Sequence, residues 1–495
     1  MSLATFALSW SPVLLLGVLA VGLKRPALEL SIYGLVFTAG LAHLAFQTPL
    51  SVILMAGVDG VVTTLPLLLV VTAGILLSHL LIASQAIDRI VAWFLQGLRH
   101  PRHRHLFIGL GICNFLEEAS VIAEPIVAPM LRAAGVRPAD AAALSIIGYA
   151  GLMSVEMTGI IVTVLALVTG LPLGELAAAT AWLSVPGVLA LAAFVPWYLP
   201  EKDGRWSFLP QILGSGLVVG LVAVATTLTL GVALAGMTGG LALMVVLMLL
   251  GSRRWHWSGG IIRDFLPFAC ILAPLLLVNT IPRLHELTLN HWTFQVKVVP
   301  IHRITMTPFF SAYLYLFLAL GMAVVLFKSK VKTSEVLAAG LRQAWRALAA
   351  MALFGAMGQI IAYTGYGEGF VGLEQYQNMP WVLAMGLKSY TGSWYPLFVP
   401  LLGWVGTFLT GYGVASLMLF GGLQVHAAAL LGVSPVWLAA GLTVGSAVGS
   451  ISSPFKIALA APMCGALGQE GEILRHTIPL GLAASFFLGV ILWTL

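Results

Sequence analysis

The chain is a succession of apolar stretches separated by short polar breaks, at about 7–23, 29–46, 61–83, 105–131, 139–169, 176–198, 207–230, 231–250, 264–281, 307–327, 340–363, 396–431, 435–467 and 473–495. Most are close to the ~20 residues a helix needs to cross a ~30 Å hydrocarbon core. The pattern predicts an all-α polytopic membrane protein. Two stretches are interrupted from within. In 105–131 the run from Glu117-Glu118 through Glu124-Pro125 breaks the apolar sequence, and in 396–431 the run Thr410-Gly411-Tyr412-Gly413, ending at Ser416, does the same.

These breaks belong to a longer correspondence. Gly135-Val-Arg-Pro138 and Gly148-Tyr-Ala-Gly151 follow the first, and Gly432-Val-Ser-Pro435 and Gly445-Ser-Ala-Val-Gly449 follow the second, at a common offset of about 297 residues. Paired, interrupted segments in the two halves of a membrane protein point to a transporter binding site. Reading 105–131 and 396–431 as re-entrant hairpins leaves about 12 transmembrane helices. Residues 1–206 then form one unit of three spans, hairpin and two spans. Residues 207–250 are two linker spans, and residues 251–495 repeat the first arrangement. An odd number of spans separates the two unit starts, so the units run in opposite directions. The result is an inverted repeat with hairpin tips meeting near the midplane, where irregular backbone is tolerated only when it lines a protein cavity.

Charge supports this topology. Of the 24 Lys and Arg residues, Arg283, Lys297, Arg303 and Lys388 fall in loops on one side, Lys456 lies within a span, and the rest fall on the other side. Such asymmetry marks the cytoplasmic face and places both termini outside. A fully crossing 105–131 would instead put Arg132 and Arg137 opposite Arg104. The chain is 60% hydrophobic and 8% charged, with mean hydropathy +1.01, against roughly 25% charged for soluble domains. The net charge of +6 follows from the loops and does not indicate nucleic acid. Val13–Leu23 reads as part of a first span rather than a signal peptide. Cys113, Cys270 and Cys464 lie in apolar surroundings and suggest neither disulfides nor a metal site. Ile87–Leu98 reads as an interfacial helix whose basic continuation, Arg99 to His105, faces lipid headgroups. The longest external loops, Arg283–Arg303 and Tyr366–Trp394, carry His285, Glu286, His291 and His302 as solvated residues.

Ionisable groups inside spans are costly and usually functional. Here they are Asp59, Glu117, Glu118, Glu124, Glu156, His426 and Lys456. Asp59, in Gly57-Val-Asp-Gly60, reads as an N-cap at a span end, and His426 as a packed or interfacial histidine. The carboxylates of Glu117, Glu118, Glu124 and Glu156 are candidates for carrying a coupling proton. Glu117 and Glu118 adjoin, so only one can face a given cavity. Lys456 sits on the matching arm of the second unit, after Ser452-Ser453-Pro454. It either binds substrate or pairs with a hairpin glutamate, and the two roles are compatible. Glycine and serine at a broken helix leave backbone N–H groups free, and a helix N-terminus receives carboxylates well. Thr410, Gly411, Tyr412, Ser416, Ser452, Ser453 and Lys456 therefore form a candidate site for an organic anion.

At these residues the chain resembles the L-lactate permease family. Phe115-Leu-Glu117 with Pro125, Phe408-Leu-Thr-Gly411 with Ser416, Ser453-Pro454, and Leu467 through Leu474 carry the resemblance. It implies a bacterial inner-membrane carboxylate transporter, usually proton-coupled, related to transporters with two hairpins and an elevator mechanism. It also leaves room for a homodimer. The chain departs from the family pattern at Glu118, Glu124, Tyr149, Glu156, Tyr412 and Lys456. A proton is the expected coupling ion, with sodium as the second option, and no cofactor is implied. The leading expectation is uptake of lactate or a related hydroxymonocarboxylate. The alternatives are another organic anion such as a dicarboxylate or sulfonate, export, or an anion channel. An embedded enzyme would need a nucleophile and base or a metal set such as His-Glu-x-x-His, and the sequence has neither.

Overall fold

The computed structural model describes residues 3–23, 25–96, 98, 101–155, 157–200, 205–251, 258–328 and 331–495. The first part contains α1 Leu3–Gly17, α2 Ala27–Leu44, α3 Leu50–Ala83, α4 Ala86–Leu95, α5 Pro101–Leu106, α6 Cys113–Glu118, α7 Glu124–Ala133, α8 Pro138–Ala150, α9 Ile160–Thr169 and α10 Leu173–Ala192. Helices α11 Leu209–Thr229 and α12 Ala235–Gly251 connect it to the second part. That part contains α13 Gly259–Thr280, α14 Pro282–Glu286, strands β1 Phe294–Val296 and β2 Ile304–Met306, α15 Ala312–Phe327, α16 Thr333–Ala362, α17 Met379–Thr391, α18 Tyr395–Thr410, α19 Gly413–Leu431, α20 Pro435–Gly449, α21 Pro454–Cys464 and α22 Glu470–Thr494. Among the described residues, 11 helices are long and apolar enough to cross a membrane, and α9, α15 and α21 are shorter apolar ones. The protein is a multi-pass helical membrane protein.

The correspondence of about 297 residues reappears as structure. Pro138 and Pro435 each open a helix, α8 and α20, where a proline without an N–H is tolerated. α8 has 13 residues and α20 has 15, and short helices α9 and α21 follow the breaks. Gly135 and Gly432, one turn before those prolines, both adopt positive φ, 96° and 70°. Packing is reciprocal: α21 lies against α7 and α8, while α9 lies against α19; α10 lies against α20, while α22 lies against α8.

Three expectations change. Pro49 precedes one unbroken 34-residue helix, α3, because no turn-forming run follows until Ser84. At 1.5 Å per residue this helix is about 50 Å long. Asp59 therefore lies within a helix, fully buried, and is not an N-cap. The stretch 366–394, expected as a loop, contains α17, capped by the Asn378 side chain, which accepts from Trp381 N–H at 3.0 Å. The loop 283–303 is ordered by α14 and by β1 pairing antiparallel with β2, Phe294 opposite Met306, and it brings His302 into contact with Asp59 rather than with solvent.

Helices α3 and α16 cross tightly through glycines. A Cβ added at Gly60 would run into the Gly355 carbonyl, and one added at Gly355 would lie 2.8 Å from the Gly60 carbonyl oxygen. Gly60→Val is expected to lower the unfolding temperature in detergent by the equivalent of about 1–3 kcal/mol. Gly214→Val, where nothing lies within 4 Å, serves as the control. Equal melting of the two variants would show that the crossing yields without strain.

Candidate functional site

The site forms where the first interrupted segment meets the second broken helix. α6 ends at Glu118, and residues 119–123 turn the chain, with Ser120 at φ 56°. α7 begins at Glu124. The turn is stitched by Glu117, whose Oε2 accepts from Ala123 N–H at 3.2 Å. Opposite, Ser453 caps α21 by accepting from the backbone N–H of Lys456 at 3.4 Å, with Pro454 in the first turn. This cap points the Lys456 side chain off the first turn of α21 and onto the first segment.

Lys456 Nζ lies 3.0 Å from Glu124 Oε1 and 3.5 Å from Glu117 Oε1. It also sits 5.2 Å from the centroid of the Tyr149 ring, within reach of a cation–π attraction. The Tyr149 hydroxyl donates to Glu124 Oε1 at 2.7 Å. All four side chains are buried. One ammonium thus stands between two carboxylates, in surroundings of low dielectric where unpaired charge is strongly disfavoured. A cavity of about 270 Å³ opens beside them. Glu117, Lys456, Tyr412, Phe455, Met153 and Arg346 are among its lining residues. Its walls are otherwise mostly apolar, and the Tyr412 and Phe455 rings pack 4.9 Å apart. A mostly apolar cavity with the Lys456–Glu117 pair and Arg346 in its lining suits a small organic ion.

The family model described as L-lactate permease matches residues 5–495. The chain belongs to the L-lactate permease family. It is 27% identical to the L-lactate permease of Salmonella typhimurium, over 97% of this chain and 94% of that one. It is 26% identical to the glycolate permease of Escherichia coli K12, over 92% and 89%. Among solved structures, the YdaH transporter of Alcanivorax borkumensis aligns over 95% of this chain and 98% of its own at 12% identity and a TM-score of 0.48. Membership places the chain among membrane permeases.

Of the residues expected to bind substrate in this family member, only Tyr412 and Lys456 line the cavity. The others shape it. Thr410 Oγ1 donates to the Gly406 carbonyl at 2.7 Å, and Gly411, at φ 84°, ends α18 in a left-handed conformation that lets α19 start two residues later. Ser416 Oγ donates to the Gly403 carbonyl at 3.0 Å, joining α19 to α18. Ser452 Oγ donates to the Thr477 carbonyl at 2.9 Å, toward α22. Ser453 acts as the α21 cap. Ser416 and Ser452 are not among the residues lining this cavity, and each hydroxyl donates to a nearby backbone carbonyl.

The acidic candidates separate. Glu117 and Glu124 meet Lys456. Glu118 turns the other way, fully buried, toward the backbone N–H groups of Thr158 and Gly236. Glu156 lies outside the described residues. His426 is half-buried on α19. Tyr149, Met153 and Arg346 were not singled out as site residues by sequence. Tyr149 did carry a signal, as a phenol beside the interrupted glycines of α8.

A second cavity, about 790 Å³, lies beyond the break in the first broken helix. Thr158, Thr163, Asn279, His285, His302 and Arg303 are among its lining residues. Val70 and Thr158 face this cavity, whereas Val71 and Met157 face the smaller one. The two cavities therefore share a wall made of α3 and the α8–α9 break. Met157 and Thr158 in that wall both have positive φ, 52° and 58°, a conformation that disfavours side chains with a Cβ.

Proposed function

We propose that this protein is a secondary active transporter that carries a small organic anion, most closely lactate or a related hydroxymonocarboxylate, by proton symport across the bacterial inner membrane. The observation that carries the reading is Lys456, held between Glu117 and Glu124 at the edge of the cavity. With both carboxylates ionised the cluster has a net charge of −1 and repels an anion. When one takes a proton, a single carboxylate balances the ammonium, and Lys456 can turn its remaining N–H groups to the substrate. An anion joining the unprotonated cluster would double its net negative charge, whereas after protonation it meets a neutral one, so proton uptake favours anion entry. The names of the relatives, lactate and glycolate permeases, favour a hydroxymonocarboxylate.

The mechanism we infer is elevator-type alternating access. Residues 1–206 and 251–495 act as inverted units linked by 207–250, with 105–131 and 396–431 as re-entrant hairpins and both termini outside. The reciprocal packing of α9 on α19 and α21 on α7 supports an axis relating the units. The two cavities on either side of the α8–α9 break support exposure of the site to alternate faces.

The test is uptake of radiolabelled lactate by the purified protein in proteoliposomes, under an inward proton gradient, an inward sodium gradient, or neither. Unlabelled glycolate, dicarboxylates and sulfonates serve as competitors. Proton-driven lactate uptake inhibited by glycolate is the expected result. Uptake driven only by sodium would replace the coupling ion. Competition only by a dicarboxylate or sulfonate would reassign the substrate.

A further inference from the structure

His302 occupies a place that the transport reading does not use. It lies in the loop 283–303, half-buried, one residue before Arg303 and two before β2. Its Nδ1 lies 2.8 Å from Asp59 Oδ2 on α3, and its Nε2 lies 3.1 Å from the Leu167 carbonyl on α9. Both partners are acceptors when Asp59 is ionised, so both ring nitrogens must donate, and only the imidazolium has two N–H groups. From α16, the Tyr363 hydroxyl approaches the same Asp59 oxygen at 3.4 Å. Arg303 and His285 line the adjoining cavity, and α9 offers a carbonyl only. One protonated ring thus bridges a long helix of one packing layer and the last turn of a short helix of another.

We propose that His302 with Asp59 is a proton-controlled positioning latch that ties half-helix α9 and the loop 283–303 to α3, closed at acidic and open at alkaline pH. Assigning α9 to a mobile arm rests on the alternating-access reading; the latch itself does not.

The sign follows from the charge states. Burial lowers the proton affinity of the ring, but the hydrogen bond and charge of Asp59, with the Leu167 carbonyl, outweigh it and leave the His302 pKa above its ordinary 6.5. A group whose folded value is raised contributes its full stabilisation below its unfolded value and loses it as pH rises through the folded one. The latch therefore holds through pH 6.5 and opens as pH rises through the raised folded value. Neutral imidazole can keep only one of its two contacts, and the tie between α3 and α9 is then broken.

Hydrogen–deuterium exchange of the full-length protein in lipid nanodiscs tests this without any substrate. Peptides covering 160–170 and 299–306 are compared at about pH 5.5 and about pH 8.5, corrected for intrinsic exchange. In the wild type they are expected to exchange roughly tenfold faster at the alkaline pH, the scale of one charge-assisted hydrogen bond. His302→Gln is expected to exchange fast at both. His302→Arg, a permanent cation with donors on two sides, is expected to lose the alkaline loosening. Unchanged wild-type protection between the two pH values would overturn the latch, and so would His302→Arg loosening at alkaline pH as the wild type does. Because no carboxylate is present, a failure of lactate uptake leaves this outcome unaffected.

Discussion

Lys456→Met is expected to abolish anion uptake, and the double variant Lys456→Met/Glu124→Gln is expected to fold like the wild type and still not transport. The single change leaves Glu117 and Glu124 facing each other without a counter-charge in a buried site. Removing one partner of a buried ion pair costs about 3–5 kcal/mol, so the single variant should also melt early. Exchanging Glu124 for glutamine returns the cluster to its wild-type net charge, with Glu117 as the one carboxylate, while keeping an acceptor for the Tyr149 hydroxyl. Thermal unfolding then reports the structural part of the effect, and uptake reports the rest. If Lys456 serves only the fold, the double variant recovers uptake together with stability. Wild-type uptake in that variant would remove Lys456 from the substrate site.

The second large effect separates the two glutamates. Glu117 lines the cavity, whereas Glu124 is enclosed and holds both Tyr149 and Lys456. An exchangeable proton needs a path to water, so Glu117 is the better carrier. Glu117→Gln is expected to eliminate accumulation driven by a proton gradient while leaving exchange of labelled for unlabelled substrate across the liposome membrane. Glu124→Gln is expected to impair both, because it loosens the residue that positions Lys456. The measurement is a pair of assays on the same liposomes, gradient-driven uptake and counterflow. Undiminished accumulation by Glu117→Gln would pass the proton role to another group, and the buried carboxyl of Glu118 is the next to test.

Both effects depend on residues that were visible in the chain but not on their arrangement there. Charged residues in an apolar run stand out whatever the fold, which is why Glu117, Glu124 and Lys456 could be singled out at once. Adjacent residues on a helix point in different directions, so one of Glu117 and Glu118 had to leave the cavity. The direction of rotation of α6, and hence which one, depends on its packing against α12. Asp59 shows the opposite case. Glycines on either side suggested a helix end, yet Gly60 is used for the close crossing with Gly355 on α16, and the helix runs on. Ser416 and Ser452 looked like ligands because hydroxyls in a membrane are conspicuous. Their hydroxyls instead bond carbonyls of neighbouring helices.

By itself the sequence determined the class, the approximate spans and the short list of buried ionisable groups. These properties are local: hydropathy over about 20 residues, prolines that open helices, and glycines that end them. The tertiary structure decided which members of the list meet. Lys456 joins Glu117 and Glu124 across more than 300 residues of chain, and His302 joins Asp59 and Leu167, because helices of one unit pack against the other. Those contacts depend on rotation and crossing of helices about their axes, which side-chain packing sets and no local pattern of apolar and polar residues encodes.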